Sequence, residues 1–150
     1  MKIQKINKNL LDTYYKNKTL YYQKLNNICY VTDSYIAYKL PANEFMLDTE
    51  KLKNRAFDYL FNDYDYVDAV ETKTYEEIKV NNKKLLGVLI KNEEKNLEVV
   101  INKKYLELFD DYTLKIKSDI SPVLVYEKGI IVGLILPIKR QQWHKLNLKE

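Results

Sequence analysis

The single cysteine, Cys29, and the single histidine, His144, are where nucleophilic or acid–base chemistry would be sought first. Cys29 falls inside an apolar segment patterned as a strand, and His144 in the polar tail Gln141-Gln142-Trp143-His144-Lys145-Leu146-Asn147-Leu148, so neither is set beside a partner base. There is no glycine-rich phosphate loop, no His/Cys cluster with metal-ligand spacing and no nucleophile elbow. Asp63, Asp65 and Asp68 are spaced like half of a calcium loop, but the glycine and the terminal glutamate of such a loop are missing. The chain therefore reads as a protein without catalytic residues, metal or cofactor.

Binding chemistry is better represented. Of the 25 basic residues only Arg55 and Arg140 are arginines, and lysine lacks the planar fork that reads guanine edges, so direct base readout is poorly served. Residues 1–41 hold seven lysines against two aspartates, whereas residues 42–70 hold three basic and seven acidic side chains. The densest feature is the run from Phe57 to Asp68. Its interleaved aromatics and carboxylates, among them Tyr59, Asp63, Tyr64, Asp65 and Tyr66, suit a protein-binding surface, since tyrosine gives large contact area at small entropic cost and acids repel nucleic acid. The same run also fits a helix end followed by a solvated loop. The tail around Trp143 could dock on a partner or cover a sheet edge.

At 46% apolar and 31% charged, with three glycines and three prolines, the composition is that of one packed α+β domain over residues 1–150. The longest apolar stretch, 130–136, is far short of the roughly 20 residues that a membrane-spanning helix needs. The first residues lack the apolar run of a secretory signal, and a lone cysteine forms no intrachain disulfide, so a cytoplasmic setting is expected.

The elements that must carry these residues follow from periodicity. Residues 2–6 alternate as a short strand, and Asn7 caps a helix from Lys8 to Lys16 whose inward face is Leu10, Leu11, Tyr14 and Tyr15. Strands are predicted over 19–25, 28–32 and 35–40, turning at Asn26-Asn27 and Asp33-Ser34, with Pro41 as the stop. A helix is predicted from Asp48 or Thr49 to Phe61, then strands at 67–73, 75–80 and 85–91 with a turn at Asn81-Asn82. From Leu97 the pattern gives a strand, an Asn102 cap and a helix over 103–110 with Tyr105, Leu106 and Phe109 inward. Strands at 113–117, 123–127 and 130–138 follow, the last two joined at Lys128-Gly129.

The two ends of the chain repeat. A displacement of 95 lays Ile6-Asn7-Lys8 on Ile101-Asn102-Lys103, Leu11 on Leu106 and Tyr14 on Phe109. After one inserted residue, a displacement of 96 lays Tyr30 on Tyr126, Ile36 on Val132, Ala37 on Gly133, Leu40 on Leu136 and Pro41 on Pro137. The expected architecture is thus a duplicated βαβββ unit, with half-repeats at 1–41 and 97–138. Residues 42–96 form an insertion with a helix and a β-hairpin, and 139–150 a C-terminal tail.

Two fused βαβββ units make one domain of the DNA sliding clamp fold, and short motifs here resemble bacterial clamps (DNA polymerase III beta subunits). Thr32-Asp33-Ser34-Tyr35-Ile36-Ala37 is similar to the family's T-D-G-H-R-L-A turn, and Ile135-Leu136-Pro137-Ile138-Lys139-Arg140 to its terminal V-M-P-M-R-L strand. The resemblance covers residues 1–41 and 97–140. It implies a peptide-binding groove with Thr32, Ser34, Tyr35 and Ile36 on one wall and Leu136, Pro137 and Ile138 on the other. Ser34 stands where the family has glycine, and Tyr35-Ile36 where it has His-Arg, so the groove would differ in polarity. The family's walls come from two domains of one chain, whereas this chain has one such domain.

The resemblance also implies that Lys8 and Lys16 on the first helix, and Lys103 and Lys104 on the second, touch DNA phosphates without base preference. A ring of six domains would need an oligomer. The expected function is a non-enzymatic clamp-like module of a bacterial or phage-type DNA replication system, with a protein partner, sequence-independent DNA contact and no membrane. The alternative is a phage or mobile-element inhibitor that blocks a host enzyme or defence complex through its acidic-aromatic insertion.

Overall fold

In the computed structural model, which describes residues 1–16, 19–80 and 82–138, the N-terminal segment is one helix, α1 (Ile3–Tyr15). The strand expected over residues 2–6 does not form. In a strand Ile3 and Ile6 would face opposite sides, whereas three residues apart on a helix they share one stripe with Leu10 and Tyr14, and Ile6 and Leu10 are buried. Leu11 and Tyr15, expected inward, are exposed. Asn7 is accordingly not a cap but an interior helical residue, buried, whose side chain ties down the segment after the third strand. Its Nδ2 donates to the Glu44 carbonyl at 2.8 Å and its Oδ1 accepts from the Met46 amide at 2.9 Å.

Strands β1 (Tyr21–Leu25), β2 (Ile28–Thr32) and β3 (Ile36–Pro41) form the expected meander, with Asn26 at φ 55° and Ser34 at φ 80° in its turns. The helix expected over 48–61 is replaced by two single 3-10 turns (Thr49–Lys51 and Asp58–Leu60) flanking β4 (Lys53–Asn54), which runs parallel to β1. A straight helix would have set Leu52, Ala56 and Leu60 on one face. The extended chain instead sends Leu52 to the main core and Phe57 to the opposite face of the sheet.

A single long strand, β5 (Val67–Val80), takes the place of two expected strands, its pairing shifting between Glu71 and Tyr75 where Thr72 Oγ1 bonds the Leu89 carbonyl. It is followed by β6 (Lys83–Asn92) and β7 (Leu97–Asn102). Asn82 has φ 66°; Asn81 lies outside the described residues. Asn102 Oδ1 caps α2 (Lys103–Leu106) through the Lys104 amide at 3.0 Å. The helix is shorter than expected because Leu106, Leu108 and Phe109 are all buried, whereas a continuing α-helix would turn Leu108 about 200° away from Leu106. β8 (Thr113–Ile116), β9 (Val123–Glu127) and β10 (Ile130–Ile135) complete the chain, with Lys128 and Gly129 both at positive φ as a two-residue hairpin requires.

The protein is thus α+β, one ten-stranded sheet in the order β4-β1-β2-β3-β10-β9-β8-β5-β6-β7 with two helices. The two meanders meet through their last strands: β3 and β10 are antiparallel, pairing Ala37 with Leu134 and Tyr38 with Gly133. Alternation puts Val31, Ile36, Tyr38, Val123, Val125 and Ile135 on the face that packs on Ile6 and Leu10 of α1 and on Leu106 and Phe109. Ala37, Leu124, Tyr126 and Leu134 point the other way, where Phe57, Phe61 and Tyr66 of the insertion cover them. Covered on both faces, β9 reads as the unbroken apolar run VLVY. No helix among the described residues is long and apolar enough to cross a membrane.

Candidate functional site

The turn Thr32–Ile36 is braced by its own polar side chains. Asp33 Oδ1 accepts from the amides of Tyr35 (2.8 Å) and Ile36 (3.0 Å), and Thr32 Oγ1 accepts from the Ser34 amide (3.0 Å) while donating to the Ile36 carbonyl (2.9 Å). With every amide of residues 34–36 satisfied inside the turn, Tyr35 is held outward as a rigid projection. The Leu136 amide donates to the Tyr35 carbonyl at 2.9 Å, which fixes the segment after β10 against this turn.

A cavity of about 260 Å³ opens here. Five residues expected to form the groove line it: Thr32, Ser34, Tyr35 and Ile36 from one wall and Leu136 from the other. Pro137 and Ile138 do not. Ile138 instead donates its amide to the Val100 carbonyl of β7 at 2.8 Å, so this segment ties the chain after β10 to the edge strand β7. Sequence reasoning missed the third wall, Arg55 to Leu60, of which only Tyr59 was marked as a binding residue. Tyr35 and Tyr59 are 61% and 69% exposed, and Leu60 and Leu136 are 41% and 43% exposed, which leaves an uncovered apolar rim around the cavity. Gln23 builds this wall: its Oε1 accepts from the amides of Phe57 and Asp58, and its Nε2 donates to Asp58 Oδ1. A glutamine on a strand gives no sequence signal of that role.

The rest of the acidic-aromatic run divides. Asp63 accepts from the Tyr126 hydroxyl at 2.8 Å and lies 3.8 Å from Lys115, and the Tyr66 hydroxyl donates to the Pro122 carbonyl at 2.9 Å, so these two residues fasten the insertion to the sheet. Burial first, and then Asp63, raises the Tyr126 phenol well above its ordinary range. Tyr64 and Asp65 are exposed, and neither lines a cavity described here.

A second cavity, of about 470 Å³, separates α1 from α2 and the β5–β6 turn. Lys16 and Lys104 line it together with Lys83, as do Asp12 and Asp33. Lys8 is exposed on α1, and Lys103 lies 5.4 Å over the Tyr75 ring. Burial, and secondarily Asp33 and Tyr35, push the Tyr105 phenol on this cavity's wall up to about 12. Tyr35 and Ile36 border both cavities. Among the described residues no group of three or more His, Cys, Asp or Glu is arranged to hold a metal ion. The tail with Trp143 and His144 lies outside the described residues.

Comparison of the chain with protein-family models, with curated proteins and with solved structures gave no match. Geometry alone therefore carries the functional reading.

Proposed function

We propose that the chain is a non-enzymatic, clamp-like module of a bacterial or phage-type DNA replication system that holds an extended segment of a partner protein between the Thr32–Ile36 turn, the Arg55–Leu60 wall and Leu136. The observation that carries this reading is the register of β3 against β10. A dyad normal to the sheet keeps each face on itself, so it matches Ala37 with its ladder partner Leu134, one position beyond the match to Gly133 that the sequence repeat gives; the bulge between Ile131 and Gly133 accounts for that position. The antiparallel meeting of the two last strands, with the bulge allowed for, is what supports duplicated halves. The halves are unequal: β7-α2-β8-β9-β10 is βαβββ, whereas α1-β1-β2-β3 has its helix where a first strand was expected.

Support for peptide capture is the meeting of Thr32, Ser34, Tyr35, Ile36, Leu136 and Tyr59 around one apolar cavity. Support for DNA contact is weaker, since the cavity shared by Lys16, Lys83 and Lys104 also holds two aspartates. Sedimentation and duplex DNA binding across a salt series test the assembly: a closed oligomer and affinity falling with salt are expected. A monomer indifferent to DNA, whose Tyr35→Asp variant still captures replication-protein tails as the parent chain does, would remove the proposal.

A second reading rests on Tyr64 and Asp65, exposed away from both cavities: an inhibitor of phage or mobile-element origin that docks through this segment. It predicts that Tyr64→Ala relieves inhibition of the target while Tyr35→Asp is silent.

A further inference from the structure

The groove carries a charge that the clamp-like reading does not use. Among the described residues its lining includes no carboxylate, and its one ionised side chain is Arg55. Arg55 is anchored at the backbone, its amide donating to the Tyr22 carbonyl at 3.0 Å, and its guanidinium lies 4.7 Å from the centroid of the Tyr21 ring. Stacked on an aromatic face, the planar fork is pre-organised, and among the described residues no carboxylate forms an ion pair with it. An arginine so placed, at the edge of exposed Tyr35, Tyr59 and Leu136, is equipped for bidentate bonding to a carboxylate that arrives with an apolar neighbour.

We infer that the groove selects a peptide in which an aspartate or glutamate side chain, bound by Arg55, flanks an apolar or aromatic anchor. This rests on the peptide-capture reading above and specifies its ligand. A terminal carboxylate is the other common source of the same group, but proteins usually receive it in a nest of free backbone amides. Here the amides of Ser34, Tyr35 and Ile36 are already bonded to Thr32 and Asp33, so the turn offers no such nest; the guanidinium is the charged donor among the described lining residues and an internal acidic side chain is the occupant.

The test uses nonapeptides blocked at both ends, each with a Phe-Leu pair in a Gly-Ser background and one Asp placed one, two or three residues to either side, beside its Asn counterpart. Fluorescence polarisation with the full chain is expected to find at least one Asp peptide bound ten-fold or more tightly than its Asn partner, with the advantage shrinking at high salt. Arg55→Gln, an exposed substitution whose fold is checked by thermal unfolding, is expected to erase that difference. Equal affinity of every Asp and Asn pair, or an Asp preference that survives in Arg55→Gln, overturns the inference while leaving the groove intact. An unblocked peptide whose only carboxylate is its C-terminus and which binds as tightly as the best Asp peptide overturns the choice of a side chain. Failure of all the peptides to bind, with the amide resonances of Tyr59 and Leu136 unmoved, refutes the groove and this inference together.

Discussion

Gly133 lies directly under the ring of Phe109: a methyl group added at its Cα would stand 2.5 Å from the Phe109 Cζ and 2.8 Å from its Cε1. Phe109 is itself buried and packs 6.2 Å from the Tyr38 ring, so it has little room to yield. The methyl group of Ala37, the residue that the sequence repeat matches to Gly133, points to the opposite face among Phe57, Leu124 and Leu134 and meets no such ring. Gly133→Ala is expected to destabilise the fold by about 1–3 kcal/mol through overpacking. Urea unfolding checks this, and a double variant with Phe109→Leu should recover part of the loss. An unchanged midpoint for Gly133→Ala would show that the ring moves freely.

Ser34 occupies φ 80°, a conformation that costs a residue with a Cβ and not a glycine. Its side chain makes no hydrogen bond that holds the turn; the bracing comes from Thr32 and Asp33. Ser34→Gly should stabilise the chain by up to about 1 kcal/mol, the relief of strain being partly offset by the greater freedom of glycine in the unfolded chain. The same experiment on Asp33→Ala should go the other way, because two turn amides lose their acceptor. Equal thermal midpoints for Ser34→Gly and the parent chain would contradict the first expectation.

Asn7 joins α1 to the segment that leaves β3. Asn7→Ala removes both bonds, and since Glu44 and Met46 are exposed enough for water to replace the side chain, the expected cost is near the lower end of a lost buried hydrogen bond, about 1 kcal/mol. The sharper readout is local. Hydrogen exchange at the Met46 amide should rise at least ten-fold under conditions that leave the β9 amides protected.

The amino group of Met1 sits between two carboxylates, 2.8 Å from both oxygens of Glu127 and 3.2 Å from Asp110. Glu127 also receives the Asp110 amide at 2.7 Å. Burial by itself would lower the amine's pKa, but the hydrogen bonds to Glu127 and Asp110 outweigh it and raise the group above its ordinary 8.0. A raised pKa in the folded state means that the stabilisation is complete below pH 8 and is lost as pH climbs through the folded-state value. The phenol of Tyr105, pushed up to about 12, and the thiol of Cys29, pushed up to about 11 by burial, act in the same direction at higher pH. Unfolding midpoints should therefore decline from pH 8 upward. Nα-acetylation should lower the midpoint at pH 7 and flatten the profile just above pH 8; a parallel profile for the acetylated chain would assign the decline to other groups.

Cys29 supplies a chemical check on the β2–β3 core. It is 2% exposed and stays protonated at neutral pH, so iodoacetamide should modify it at least a hundred-fold more slowly in the native chain than in urea. Rapid native labelling would mean that β2 opens readily.

Local chemistry was enough for the sequence to determine the two meanders. Asn26, Ser34 and Lys128-Gly129 sit in the turns where they were expected, and period-two patterning set which side chains of β2, β3 and β9 share a face. The same holds for the Thr32–Ile36 turn, whose bracing atoms all lie within five residues. Tertiary structure decided the rest, because the competing local states were close in energy. Residues 2–6 and 48–61 fit more than one period, and what settled them was which face of the sheet Ile3, Ile6, Leu52 and Phe57 had to reach. The Arg55–Leu60 wall depends on Gln23, more than thirty positions away, and β3 meets β10 across nearly a hundred positions. Such contacts form only once the intervening chain has been ordered, so their partners leave no signature in any local window.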